Sequence, residues 1–151
     1  MAMFPAPWAV QIEAVEGCTR LCTFCGLASI RSGPGDFKRL ERRLASKIVQ
    51  DCTVLCPHAR YEFAMHGEPM AHPELPDIVS EFRARLPQAQ IQVTTNGRYL
   101  LGHMARCLDV LYTSGVNFVV LDTYAPERER LRSQAAALAP QDVRVVDFYT
   151  E

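Results

Sequence analysis

The sequence predicts an α/β protein in which parallel strands alternate with helices. Short apolar runs follow one another along the chain, separated by segments whose apolar residues recur at the spacing of an amphipathic helix. Strands and helices that alternate at this spacing along the chain are joined by right-handed crossovers, which produce a parallel sheet or barrel. At 151 residues the chain is long enough to bury a sizeable core in a single domain.

Five segments have the composition and length of strands. In residues 8–15, Val10, Ile12 and Ala14 alternate with polar positions, which is the period of a half-buried strand. The other four strands are predicted from short apolar runs bounded by turn residues, at residues 61–65, 90–95, 117–122 and 143–148.

Four helices are predicted between these strands. The first spans residues 37–50, where Phe37, Leu40, Leu44 and Ile48 fall on one helical face. The others combine apolar periodicity with proline or acidic residues near the first turn or a breaker at the end, and lie at residues 74–86, 100–111 and 126–138.

Composition and charge exclude several classes of protein. The net charge of -1 gives no overall basic bias toward nucleic acid. The longest fully apolar stretch, near residues 118–121, is far too short to cross a bilayer, so no membrane association is expected. Six cysteines without a visible export signal favour a reducing compartment, and we therefore expect a cytoplasmic protein.

Three cysteines follow the first predicted strand. Cys18, Cys22 and Cys25 have the spacing C-x3-C-x2-C and are followed directly by Gly26. A structural zinc or iron–sulfur site normally has four protein ligands. Three thiolates leave a four-iron, four-sulfur cube one ligand short, and the open iron can then take a substrate or cofactor. The loop of residues 18–26 is therefore interpreted as a reactive cluster site.

Polar and glycine-containing motifs follow the next three predicted strands. They are Gly67-Glu68-Pro69 after the second strand, Thr95-Asn96-Gly97 after the third and Asp122 at the end of the fourth. Because α/β sheets and barrels gather their sites at the carboxyl ends of strands, we expect these motifs to meet the cysteine loop at one edge. A purely structural interpretation remains open for each: a turn for the first two and a helix cap for the aspartate.

Together these segments resemble the radical S-adenosylmethionine (radical SAM) superfamily. The cysteine loop has the family's spacing, with the aromatic Phe24 before its third cysteine. Residues 66–69 are similar to the family's Gly-Gly-Glu-Pro segment, with His66 in place of the first glycine, and residues 94–97 are similar to its Thr-Asn-Gly turn. Residues 115–122 look like its fourth strand, and the resemblance covers nearly the whole chain.

The resemblance implies a fold and a set of ligands. It implies a single radical SAM core domain over residues 1–151, with a partial (β/α) TIM-type barrel of about five parallel strands. Because the family's core usually has six strand–helix units, the domain is expected to be incomplete at its C-terminus, with a naturally short barrel or a degenerate copy as the alternatives. Cys18, Cys22 and Cys25 would hold a [4Fe-4S] cluster whose open iron binds S-adenosyl-L-methionine. The residues implied in binding that cofactor are Phe24 (adenine), Gly67, Glu68 (methionyl ammonium), Pro69, Asn96 (ribose, or ordering of the neighbouring loop) and Asp122 (ribose hydroxyls).

The activity implied by the resemblance is that of a radical SAM enzyme. Reductive cleavage of S-adenosylmethionine would yield a 5′-deoxyadenosyl radical that abstracts hydrogen from a substrate. The electron would come from a low-potential donor of the flavodoxin or ferredoxin type, and the substrate stays open among small molecules, peptides and RNA. Two other functions remain open: a non-catalytic iron–sulfur module for electron transfer or regulation, and a zinc-binding interaction domain.

A second group of metal-ligand residues lies near the tail of the first predicted helix. Cys52, Cys56 and His58 are interpreted as small buried thiols beside a loop histidine, away from the strand ends that carry the motifs. An auxiliary cluster or metal site is the alternative. His72 and His103 are expected in loops or on helix surfaces.

Overall fold

The computed structural model describes residues 5–26, 33–138 and 143–147. In chain order its strands are β1 (Ala9–Ile12), β2 (Val15–Glu16), β3 (Lys38–Arg39), β4 (Arg60–Phe63), β5 (Gln90–Thr95), β6 (Phe118–Thr123) and β7 (Val143–Asp147). Its helices are α1 (Arg42–Leu55), α2 (Leu75–Arg85), α3 (Met104–Ser114) and α4 (Arg128–Ala137). Short 3₁₀ turns follow two of the strands, at Pro69–Ala71 and Arg98–Leu100.

The main sheet has five strands in the order β1-β4-β5-β6-β7, and every neighbouring pair is parallel. One of the helices occupies each crossover between successive strands of this sheet. Within the described part of the chain, β1 pairs in the sheet only with β4, and β7 only with β6, so the sheet is open. The predicted α/β fold with a partial barrel of about five parallel strands is confirmed.

The hydrophobic core lies on one face of this sheet. Alternate residues of its three central strands are fully buried there: Tyr61, Phe63, Ile91, Val93, Val119 and Leu121. Helix α2 adds Ile78, Val79 and Phe82 to the same core. The strand residues between them, such as Glu62 and Gln92, are partly exposed, so the second face is the polar wall of the partial barrel.

Helices α2 and α3 end with features that stabilise helix C-termini. Arg83 and Arg85 lie in the last turn of α2, where positive charge complements the helix dipole. Helix α3 ends at Gly115, whose φ of 110° places it in the left-handed region that glycine tolerates. None of the helices in the described segments combines the length and apolar composition that a bilayer span requires.

The helix predicted for residues 37–50 begins later than expected, which corrects that prediction. Strand β3 occupies two of these residues and pairs antiparallel with β2, and α1 begins only at Arg42. Phe37 and Leu40 still pack against the core, but they do so from an extended segment. The Leu40 amide donates to the Ala14 carbonyl at 2.9 Å. The three-residue spacing of Phe37 and Leu40 indicated a helical face, but tertiary contacts hold both residues in an extended segment, so the spacing misplaced the helix start.

The first predicted strand is divided in two, whereas the remaining elements match the predictions within a few residues. Strand β1 ends at Ile12, and β2 begins at Val15 as part of the small antiparallel sheet. Helix α3 begins at Met104 because the 3₁₀ turn at Arg98–Leu100 precedes it. Phe148, the last residue of the predicted fifth strand, lies outside the described residues.

Truncating Phe82 to alanine is expected to lower the free energy of unfolding by about 3–5 kcal/mol. Phe82 is fully buried, and its ring contacts those of Tyr61 and Phe63 edge-to-face, with centroids 5.6 and 5.3 Å apart. Urea unfolding of the purified chain measures the change. Val54→Ala is the control, because Val54 is 81% exposed and its truncation should alter stability by less than about 0.5 kcal/mol. Equal effects of the two changes would contradict the packing of α2 on the sheet.

Candidate functional site

A cavity opens at the carboxyl edge of the main sheet, where loops from the early, middle and late parts of the chain meet. It is lined by Cys18, Arg20, Cys22, Phe24, Cys25, Ala64, Met65, His66, Gly67, Glu68, Thr94, Thr95, Asn96, Asp122 and Tyr124. Every predicted site residue lies there apart from Pro69, which is buried and begins the 3₁₀ turn that follows Glu68. The structure therefore brings the four sequence motifs together at one edge, as the strand pattern predicted.

The three cysteines of the loop are free thiols, each partly exposed. A turn in which the Cys25 amide donates to the Cys22 carbonyl at 3.0 Å fixes the backbone between these two residues. The side-chain amide of Asn96 donates to the Sγ atom of Cys18 at 3.3 Å. This contact joins the cysteine loop to the turn that follows β5.

The three thiols form a donor set that fits an iron–sulfur cluster, because such clusters are bound by cysteine thiolates. Among the residues that the structure describes, no group of three or more His, Cys, Asp or Glu side chains is arranged to hold one metal ion. Zinc is also bound by thiolates, so the zinc-binding alternative stays open.

Glu68 is the most deeply buried acid of the site, with 1% of its surface exposed. Its Oε1 atom accepts hydrogen bonds from the Met70 amide at 3.0 Å and the Thr95 hydroxyl at 2.6 Å. Its Oε2 atom accepts one from the Asn96 amide at 2.8 Å. Burial raises the pKa of Glu68 to about 7, although the three hydrogen bonds favour the carboxylate. A cation that reached this carboxylate would restore its charged form.

Gly67 allows the loops that follow β2 and β4 to touch. Gly17 and Gly67 form an isolated parallel bridge, and the Glu68 amide donates to the Gly17 carbonyl at 2.8 Å. A Cβ atom on Gly67 would lie 1.8 Å from the Val15 carbonyl oxygen, so any larger residue would force the two loops apart. The glycine therefore holds Glu68 against the start of the cysteine loop.

Asn96 connects Glu68 to the cysteine loop. Its backbone amide donates to Glu68, while its side-chain amide donates to Cys18 and, at 3.2 Å, to the Thr19 hydroxyl. Its Oδ1 atom accepts a hydrogen bond from the Arg98 amide at 3.0 Å. Of the two roles that the sequence implied for Asn96, ordering of the neighbouring loop is the one that these contacts display.

Asp122 and an aromatic pair form the wall supplied by β6 and the residues after it. Burial raises the pKa of Asp122 to about 6. Two residues later, the Tyr124 ring stacks on Phe24 with centroids 5.5 Å apart. The guanidinium of Arg20 lies 5.1 Å from the centre of the Tyr124 ring. An aromatic and cationic surface therefore lies beside the cysteines.

Three functional residues were missed by sequence reasoning: Thr95 as a partner of Glu68, Tyr124 and Arg20. Tyr124 had a usable signal, because residues two apart at a strand end lie on the same face as each other, and Asp122 had already been selected. Arg20 had no usable sequence signal, because its partner Glu127 lies 107 residues further along the chain. Only the fold brings that pair together.

The second cysteine group lies away from the cavity, as predicted. Cys52 and Cys56 are buried near the end of α1, and the Cys56 Sγ atom lies 3.6 Å from the hydroxyl of Tyr61, which is near the start of β4. His58 is exposed. His72 lies in a loop, as expected, but it is buried, with both ring nitrogens hydrogen-bonded to backbone atoms.

Comparison with known proteins gives one family and one solved fold. The model of the Radical SAM superfamily matches residues 12–141 of the chain. No curated protein matches it in sequence. The crystal structure of BtrN in complex with AdoMet and 2-DOIA matches with a TM-score of 0.83 at 22% identity, over 96% of this chain and 58% of that one. The selenomethionine form of BtrN in an open conformation matches with a TM-score of 0.74 at 19% identity, over the same 96% and 58%. The chain thus spans 58% of the length of these solved structures and has their fold.

The raised pKa of Glu68 predicts how the stability of the cluster-free chain depends on pH. The folded state holds the Glu68 proton more tightly than the unfolded chain, whose glutamate has its ordinary pKa of 4.5. The proton therefore stabilises the fold below pH 4.5, and this stabilisation is lost as the pH rises to about 7. The loss is on the order of 3 kcal/mol, and Glu68→Gln should remove it. Urea unfolding of both proteins between pH 4 and 8 tests this. If the unmodified chain instead gained stability relative to Glu68→Gln as the pH rises, the folded state would lower the pKa of Glu68.

Proposed function

This chain belongs to the radical SAM superfamily, and we propose that it is an enzyme that binds a [4Fe-4S] cluster and S-adenosylmethionine at the carboxyl edge of its sheet. The observation that carries the proposal is the convergence of three free thiols and two carboxyl groups, one buried and one partly buried, on one cavity. The thiols come from the cysteine loop, and the carboxyl groups of Glu68 and Asp122 come from the ends of other strands. The match to BtrN in complex with AdoMet supports the same ligand for this chain.

We assign the cluster to Cys18, Cys22 and Cys25. Three thiolates leave one iron without a protein ligand, which is the position that S-adenosylmethionine takes. When bound, the cluster supplies the electron that cleaves S-adenosylmethionine to methionine and a 5′-deoxyadenosyl radical, which abstracts hydrogen from the substrate. The cysteine loop would hold the cluster, and the other residues that line the cavity would contact the cofactor.

The cofactor contacts are assigned from charge and shape. The buried carboxyl group of Glu68 suits the methionyl ammonium, since a desolvated charge-assisted contact is worth about 1.5–3 kcal/mol. Asp122, at the end of β6, suits the ribose hydroxyls as an acceptor. The exposed ring of Phe24, stacked on Tyr124, suits the adenine. Gly67 keeps the backbone close to the site, and Pro69 fixes the turn after Glu68.

The proposal includes an electron donor, a location and a substrate class. A low-potential flavodoxin or ferredoxin supplies the electron, and the cytoplasm keeps the thiols reduced. The substrate is a small molecule, a peptide or an RNA, taken into the open side of the partial barrel. These parts of the proposal come from the superfamily's chemistry.

Turnover is the direct test of the enzyme proposal. Protein reconstituted with iron and sulfide without oxygen should hold about four irons and four sulfides per chain. With dithionite and S-adenosylmethionine it should release 5′-deoxyadenosine and methionine, measured by chromatography. Cys22→Ala should abolish release, because the cluster loses a ligand. Cys107→Ala, which removes a cysteine on α3 outside the cavity, should retain it.

Each alternative function has its own outcome in that experiment. Colourless protein that binds zinc at the same thiols would identify a zinc-binding domain. A fully loaded cluster that releases no 5′-deoxyadenosine would identify a non-catalytic iron–sulfur module. Either result would contradict the enzyme proposal.

Glu68→Gln separates cofactor binding from cluster binding. Loss of the charge should weaken S-adenosylmethionine binding by about 1.5–3 kcal/mol, roughly ten- to a hundred-fold in Kd, with the iron content retained. Thr95→Val is the matched control, because it removes one hydrogen bond to Glu68 and keeps the charge. Equilibrium binding and iron analysis measure both effects. If Glu68→Gln loses iron instead, the carboxylate is a structural link between loops and its assignment to the ammonium is wrong.

A further inference from the structure

Arg20 lies within the cysteine loop but makes its contacts with the turn after β6. Its Nη1 atom donates to the Oε2 atom of Glu127 at 2.7 Å, and its Nη2 atom donates to the Ala125 carbonyl. The guanidinium also lies over the Tyr124 ring. The pair is largely removed from water, since 13% of the Arg20 side chain and 19% of the Glu127 side chain are exposed. Salt therefore screens this pair much less than a surface ion pair.

Arg20 and Cys22, one of the three thiols, line the same cavity. Burial opposes the charge of the guanidinium, but hydrogen bonds and charge interactions with Glu127 and Cys22 raise the pKa of Arg20, so it stays protonated. Arg20 therefore presents a fixed positive charge to a cysteine that the proposed function assigns to the cluster. Because Arg20 lies between Cys18 and Cys22 in the sequence, its charge stays near these cysteines.

A second arginine completes the network around this part of the loop. Arg98 donates to the Thr19 carbonyl at 2.7 Å, and its Nε atom lies 3.5 Å from the Oε1 atom of Glu127. Although partial burial opposes it, the contacts with Arg20 and Arg98 lower the pKa of Glu127, which remains a carboxylate. Two guanidiniums and one carboxylate leave an excess of one positive charge beside the loop.

We propose that the Arg20–Glu127 pair sets the reduction potential of the cluster bound by this loop, with Arg20 raising the potential and Glu127 lowering it. The inference rests on the proposed function, because it needs a cluster at Cys22. Reduction adds one electron, taken from the external reductant, and neither makes nor breaks a bond. A positive charge beside a ligand thiolate stabilises the added electron, and a negative charge opposes it. Net charge and hydrogen bonding near the sulfurs are established determinants of such potentials.

A purely mechanical role for the pair predicts a different pattern. The Arg20–Glu127 contact also joins the cysteine loop to the turn after β6, so it pins the loop in place. Arg20→Met removes the 2.7 Å hydrogen bond between the two residues, and Glu127→Gln weakens it by replacing the carboxylate acceptor with an amide oxygen. If the contact only holds the loop in place, both substitutions should shift the midpoint potential in the same direction. A charge effect must shift the potential in opposite directions.

The test is a redox titration of the reconstituted chain, with dithionite as reductant and the electron paramagnetic resonance signal of the reduced cluster as readout. Arg20→Met should shift the midpoint potential downward, and Glu127→Gln should shift it upward. Arg20→Lys keeps the charge and should stay close to the unmodified chain. Arg42→Met is the matched control: it also removes one positive charge, but from a pair with Asp77 and Glu81 on the outer helices, and should leave the potential unchanged.

The outcomes separate this inference from the proposed function. An unmodified chain that loads no cluster would defeat the proposed function. If the unmodified chain binds its cluster normally, but Arg20→Met and Glu127→Gln shift the midpoint potential in the same direction, the pair only holds the loop in place and the inference is wrong. Loss of iron in Arg20→Met alone leaves Glu127→Gln as the deciding variant, and an unchanged or lowered potential there overturns the inference.

Discussion

The site depends on the buried carboxyl group of Glu68, which ties together loops that are far apart in the sequence. It accepts hydrogen bonds from the turn after β4 and from Thr95 and Asn96 at the end of β5. The amide of the same residue donates to Gly17, where the cysteine loop begins, and Asn96 carries the link on to Cys18. Without this carboxyl group three donors would lose their acceptor, at a cost of about 1–3 kcal/mol for each of the two that are buried. Through these hydrogen bonds, the position of the cysteine loop depends on Glu68.

The cavity collects groups that become anions and protects them from water. Burial raises the pKa of Glu68 to about 7 and that of Asp122 to about 6, because it disfavours the charged carboxylate. A cation bound beside either group would favour the carboxylate again. Three thiols add further potential negative charge. Iron ions and an ammonium group carry the positive charge that would compensate the negative charge of such a cavity. The fixed cations Arg20 and Arg98 contact the cysteine loop and share the carboxylate Glu127.

The sequence predicted what depends on local pattern and failed where the answer depends on tertiary contacts. The cysteine spacing and the motifs at three strand ends were visible, because parallel strands place their carboxyl ends at one edge. The start of α1 was misplaced, because Phe37 and Leu40 have helical spacing but pack from an extended hairpin. The burial of His72 and the pairing of Arg20 with a distant glutamate involve contacts that no local period encodes.

The central claim is that three thiolates of this loop hold a cluster with one iron free for S-adenosylmethionine. The most direct measurement is the electron paramagnetic resonance spectrum of the reduced, reconstituted protein, recorded with and without S-adenosylmethionine. The account predicts that the cofactor changes the g-values of the signal, because it becomes a ligand of the open iron. A signal that is identical in both samples, at a cofactor concentration that saturates binding, would contradict it.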